Sequence, residues 1–101
     1  MPSEMKKKEN LAALGIKIKE VDRSIVKILQ RRMELSELVA KCKIENGDQP
    51  ILRIKTEDRR IKQFMNCARE MGLDTHFAHC IIWLIISESC RIQIAEKEKR
   101  R

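Results

Sequence analysis

Glycine, proline and aromatic residues are scarce in this chain. Its 101 residues include three Gly, two Pro, two Phe, one Trp and no Tyr. What remains is dominated by Lys, Glu, Arg, Leu and Ile, residues that suit helices and not a sheet. No strand signal and no internal repeat is present. Long apolar runs are missing too. The longest, Cys80 to Ile86, falls far short of the ~20 residues a membrane span needs. The N-terminus is polar and basic with no apolar segment behind it, so neither a signal peptide nor a membrane partner is expected. Cysteines stand at 42, 67, 80 and 90, and no two form a C-x-x-C pair. Cys42, Cys80 and Cys90 fall in apolar stretches, where thiols behave as small hydrophobes. Their pattern fits a reducing, cytoplasmic compartment. His76 and Cys80 are one helical turn apart, but two residues do not make a metal site. Gly-rich phosphate loops are absent, and no metal or cofactor is expected.

The formal net charge is +7. Much of it lies at the ends, in Lys6-Lys7-Lys8 and Lys97-Glu98-Lys99-Arg100-Arg101, and such runs are usually solvated tails. Residues 1–8 and 96–101 are therefore expected to fray around a single domain spanning 1–101. A basic balance suits anionic ligands of any size, from nucleic acid to a dicarboxylate. Nucleic acid is the poorer fit, because the chain has neither aromatic stacking residues for an exposed face nor a recognisable reading motif.

From Lys6 to Glu45 only Gly15 interrupts a helical composition. Leu11, Ile18, Ile25, Arg32 and Val39 form one heptad row. Leu14, Val21, Ile28, Leu35 and Cys42 form its partner row. Together they make a coiled-coil-like seam over nearly five heptads. Asn46-Gly47 ends it, and Asp48-Gln49-Pro50 continues the break. A second helix is expected from about Thr56, with Glu57 and Asp58 in its first turn, to Met71, with Gly72 as the stop. Asp74 is a good N-cap for a third helix running to about Ala95.

The first helix would be roughly 58 Å long at 1.5 Å per residue. A compact domain of this size has a radius of gyration of about 13 Å, so the helix must overhang its own core. A small domain buries a modest core, and the apolar seam continues through the overhang. The expected architecture is all-α: three helices with a very long first helix, in an intertwined homodimer that exchanges helices symmetrically. The competing arrangement is a three-helix monomer hinged at Gly15.

Polar residues interrupt the apolar stripes of all three helices. Arg32 occupies a seam position between Ile25 and Val39. Lys43, eleven residues on, lies about 20° round the helix from it. Glu57 heads the stripe Ile61, Phe64, Ala68. Ser89 and Gln93 continue the stripe Ile82, Ile86. Buried charges need partners, so a purely structural Arg32–Glu57 pair is one reading. Five such residues biased towards donors favour a ligand site, and two cations against one carboxylate suit a small anion, most simply a carboxylate. No nucleophile–base pair is visible, since His76 and His79 lie about 15–20 Å from Ser89 along the helix axis. A catalyst built this way works by positioning and electrostatics.

Three stretches resemble the all-helical chorismate mutase family. They are Ile18-Lys19-Glu20-Val21-Asp22-Arg23-Ser24-Ile25-Val26, then Arg31-Arg32-Met33-Glu34-Leu35 with Val39-Ala40-Lys41-Cys42-Lys43, then Leu84-Ile85-Ile86-Ser87-Glu88-Ser89 with Gln93. The resemblance covers roughly residues 11 to 95. It implies rearrangement of chorismate to prephenate for phenylalanine and tyrosine biosynthesis, without a cofactor. It further implies that Arg32 holds a substrate carboxylate, that Lys43 and Gln93 donate to the ether oxygen, that Glu57 receives the ring hydroxyl and that Ser89 helps seat a carboxylate.

The chain departs from the family at three places. Gly15 stands where the family usually carries an arginine that reaches in from the partner subunit. Thr56 replaces another arginine, just before the glutamate. Arg53 stands where an acidic residue is common. A buried bidentate Arg–carboxylate contact is worth ~2–3 kcal/mol, so losing two would cost on the order of a thousandfold in rate or affinity. Arg53 or Arg60 could replace the guanidinium missing at Thr56, and Lys19, one turn beyond Gly15, could replace the other. Lys is the poorer fork, being a point charge. The same cradle and lysine would suit a sister activity, elimination of pyruvate from isochorismate. The departures also motivate a different class, a non-catalytic mutase-like dimer that regulates or binds a partner.

Overall fold

Asn10 starts the first helix. Its side-chain Oδ1 accepts the backbone N–H of Ala13 at 2.8 Å, satisfying one of the donors a helix leaves open at its first turn. Helix α1 runs Leu11–Glu45. The computed structural model describes residues 10–47, 50 and 54–99. Lys6-Lys7-Lys8 and Arg53 lie outside the described residues. α1 closes at Asn46-Gly47, where Gly47 takes a φ of 96°.

Helix α2 spans Ile54–Glu70. It begins two residues before the expected start, so Thr56 is not a cap but an interior residue of the first turn. Its end is built by glycine. Gly72, with φ 75°, donates its N–H to the Arg69 carbonyl at 3.2 Å, and Leu73 donates to the Ala68 carbonyl at 2.9 Å. This pair of bonds is the Schellman arrangement, which needs a residue tolerant of the left-handed region. Helix α3, Thr75–Lys99, follows at once. Asp74 caps it, its Oδ2 accepting the N–H of Phe77 at 2.9 Å. α3 continues four residues past Ala95. Glu96 lies on the buried face, and Lys97 and Lys99 meet the negative end of the helix dipole.

Contacts divide the chain into two units, Met1–Arg31 and Arg32–Arg101. In the first, the described residues are the early turns of α1. Its seam residues Leu14, Ile18, Val21, Ile25 and Ile28 are all exposed, Ile28 to 67%. In the second, the end of α1, α2 and α3 share a core of Ala40, Ala68, Ala78, Ile82 and Ile86. Three of those five are alanines, which let helices approach closely. Ser36, Ser89, Gln93 and Glu96 are buried with them.

The cysteines do not follow the expected burial. Cys42, Cys67 and Cys80 are exposed and Cys90 is half-buried, because Cys42 lies on the open seam of α1 and Cys80 on the outer face of α3. By length and composition alone α3 would qualify to cross a membrane, a test that core helices of soluble proteins also pass. Its Ala78–Ile82–Ile86–Ser89–Gln93 face is buried inside the second unit.

Candidate functional site

Arg32, Ser36, Ala40 and Lys43 recur at helical spacing along one face of α1, opposite Ser89 and Gln93 of α3. A continuous line of hydrogen bonds joins the two helices. Lys43 Nζ donates to Gln93 Oε1 at 2.9 Å. Gln93 Nε2 donates to Ser89 Oγ at 3.3 Å. The Ser89 and Ser36 hydroxyls are 2.6 Å apart. Arg32 donates one guanidinium N–H to Ser36 Oγ at 3.0 Å, and Ser36 donates its own proton to the Arg32 carbonyl, also at 3.0 Å.

The directions of these bonds follow from what each group carries. An ammonium only donates, so Lys43 fixes the amide of Gln93 with its oxygen towards Nζ and its nitrogen towards Ser89. Ser36 uses its single proton on the Arg32 carbonyl. The Ser89 hydroxyl then donates to Ser36, whose oxygen also accepts from Arg32. Among the described residues, no buried side-chain nitrogen or oxygen lacks a partner. Burial without partners would cost each such group ~1–3 kcal/mol.

α2 closes the third side. Thr56, Glu57 and Arg60 line the same pocket of about 600 Å³ as Arg32, Ser36, Lys43, Ser89 and Gln93, with Leu35, Leu38, Val39, Cys42 and Asn46 around them. That volume suits a small organic ligand. The lining carries three cations, Arg32, Lys43 and Arg60, against one carboxylate, Glu57. Their fields overlap. Burial lowers the Arg32 pKa, Arg60 lowers it further, and Glu57 acts in the opposite direction. The guanidinium stays charged regardless. Burial pushes the Cys90 thiol up, Glu57 adds to the rise and Lys43 opposes it. The pocket is therefore electropositive, with one acceptor of fixed position, and suits an anion carrying a hydroxyl.

Six of the residues singled out in the sequence, Arg32, Lys43, Glu57, Arg60, Ser89 and Gln93, meet at this pocket. Lys19 is exposed on α1 in the first unit, and Arg53 lies outside the described residues. Ser36 was not anticipated. Its signal was present, a small polar residue one turn after Arg32 on the Arg32–Lys43 face, but serine is common on helix surfaces. Thr56 sits in the pocket without a guanidinium to offer. The histidines are exposed at the start of α3, where His76 Nε2 is 3.9 Å from Cys80 Sγ and Trp83 donates its indole N–H to His79 at 3.0 Å.

Among the described residues, three helices present cations and amide and hydroxyl donors to one small pocket, an all-helical domain whose site has the chemistry to suit an anion. Residues 15–94 match the family model of chorismate mutase type II, and the chain belongs to that family. It is 32% identical over 89 residues to the bifunctional chorismate mutase/prephenate dehydratase of Buchnera aphidicola subsp. Schizaphis graminum (strain Sg), an alignment covering 88% of this chain and 23% of that protein. The chain thus spans about a quarter of the length of this relative.

Proposed function

We propose that the chain is a chorismate mutase, converting chorismate to prephenate, and that it acts as a cytoplasmic homodimer. The observation that carries this reading is the hydrogen-bonded line from Lys43 through Gln93 and Ser89 to Arg32, facing Glu57 across one pocket. The reaction breaks a C–O bond and forms a C–C bond within one molecule, so it needs no nucleophile and no proton relay. It needs a folded substrate and donors at the ether oxygen, where negative charge grows. Arg32 and Ser89 hold a carboxylate at one end. Lys43 and Gln93 serve the ether oxygen: the ammonium brings a positive charge to the point where negative charge grows, and the Gln93 amide nitrogen carries a second proton beyond the one on Ser89. Glu57 accepts the ring hydroxyl. Arg60 supplies the guanidinium that Thr56 lacks, supported by its position in the pocket lining and its field at Arg32. The exposed thiols suit a reducing compartment.

The exposed seam of α1 supports the homodimer, since a second copy would cover Ile18, Val21, Ile25 and Ile28. The test is a chorismate-consumption assay with product identification. Prephenate formation is expected. Release of pyruvate from isochorismate without prephenate formation from chorismate would make the chain a lyase. Ligand binding without turnover would favour the non-catalytic reading, which the missing guanidiniums at Gly15 and Thr56 motivate.

A further inference from the structure

Among the described residues Ser36 is the most completely buried of the polar side chains, at 2% exposure, and the expected reaction assigns it no contact with substrate. A serine inside a helix normally satisfies itself by bonding back to the carbonyl four residues earlier, and gains nothing over alanine by doing so. Ser36 makes that bond to Arg32, yet its oxygen also takes two partners that matter to the pocket. It accepts the Arg32 guanidinium at 3.0 Å and meets the Ser89 hydroxyl, from the facing helix, at 2.6 Å. One atom therefore holds both groups that line the carboxylate end.

We propose that Ser36 is a positioning residue that locks the Arg32 guanidinium and the Ser89 hydroxyl into a single carboxylate-binding geometry. The proposal rests on the reading of the pocket as a chorismate site. A guanidinium has five N–H donors on a flexible stem. Anchoring one of them to Ser36 leaves the rest of the fork in a fixed orientation. The anchor is the same before and during bond rearrangement, so its effect falls on binding and not on the chemical step. It also ties the two residues together, so that losing Ser89 removes part of what Ser36 provides.

The test is Ser36→Ala in the whole chain, with Ser89→Ala and the double variant. Ser36→Ala is expected to raise KM for chorismate about five- to tenfold, the scale of one charge-assisted hydrogen bond, and to change kcat less than about threefold. The double variant should lose clearly less than the product of the two single effects. The thermal midpoint is not the deciding readout, because the helix propensity of alanine and the acceptor lost by the buried Ser89 hydroxyl act in opposite directions. A serine that only supported the fold would leave KM untouched. Nitrogen-15 NMR of the guanidinium reads the anchor without turnover: the Arg32 Nη signals, assigned by their loss in Arg32→Ala, should be distinct in the parent and averaged in Ser36→Ala. Averaged signals in both proteins, or a kcat/KM within twofold of the parent, would overturn the proposal. A parent that consumes no chorismate but keeps distinct Arg32 signals would sink the functional reading and leave the positioning role standing.

Discussion

Lys43 carries its ammonium to a half-buried position on α1, where Gln93 receives it from the neighbouring helix at 2.9 Å. Each residue constrains the other: the cation sets the amide's orientation, and the amide holds the cation at the pocket. If the pair serves a developing oxyanion, its contribution appears only as the C–O bond breaks. Lys43→Ala is then expected to lower kcat by on the order of 10²–10³, the usual effect of removing one oxyanion donor, while circular dichroism stays helical. Steady-state kinetics on prephenate formation measures this directly. An unchanged kcat would place Lys43 outside the chemistry. Ser89 and Gln93 were recognisable without coordinates because they break an otherwise apolar stripe. Ser36 was not, because its significance lies in a partner fifty-three positions away.

The elements follow local rules where those rules are strong. Asp74 before α3 and Gly72 after α2 each have a specific backbone task, a side-chain acceptor for Phe77 and a φ of 75°. Thr56 has no such task, and α2 starts earlier, at Ile54. Threonine ranks below aspartate as a cap and is tolerated inside helices, so its signal is weak. Gly15 is the weakest link in α1, costing ~1 kcal/mol against alanine in a helix interior. A Cβ built there meets nothing within 4 Å. Gly15→Arg is therefore expected to raise stability by up to ~1 kcal/mol in urea denaturation. If position 15 reaches a partner subunit's pocket in the proposed homodimer, the same change should raise kcat/KM about tenfold, the return of one modest charge-assisted contact. Lys19→Ala should hurt the native chain, and matter less beside Gly15→Arg, if Lys19 already fills that role. Greater stability with no gain in activity would show that position 15 does not serve the site.

At the scale of the whole molecule, the open seam of α1 is the dominant fact. Leu14, Ile18, Val21, Ile25, Ile28 and Leu35 repeat at heptad spacing and are exposed in the single chain. Covering the part of each that is open would be worth on the order of 1 kcal/mol, and six such residues together exceed what a small domain can readily forgo. Sedimentation equilibrium at micromolar concentration is expected to report twice the chain mass of 11.9 kDa. A clean monomer would leave the seam unexplained and remove the argument for a site shared between subunits.

Among the described residues, the three helices and the polar residues that interrupt their apolar stripes were readable from spacing alone, because periodicity and capping depend on neighbours within a few positions. The sign of the pocket's charge was readable too, since Arg32, Lys43 and Glu57 each interrupt an apolar stripe. Which hydroxyl joins Arg32 to Ser89, and that Arg60 and not only Glu57 acts on Arg32, was decided by tertiary structure. The reason is physical: hydrogen bonds of about 3 Å and electrostatic fields of a few ångströms are set by how helices dock, and no periodicity within one helix records the phase of another.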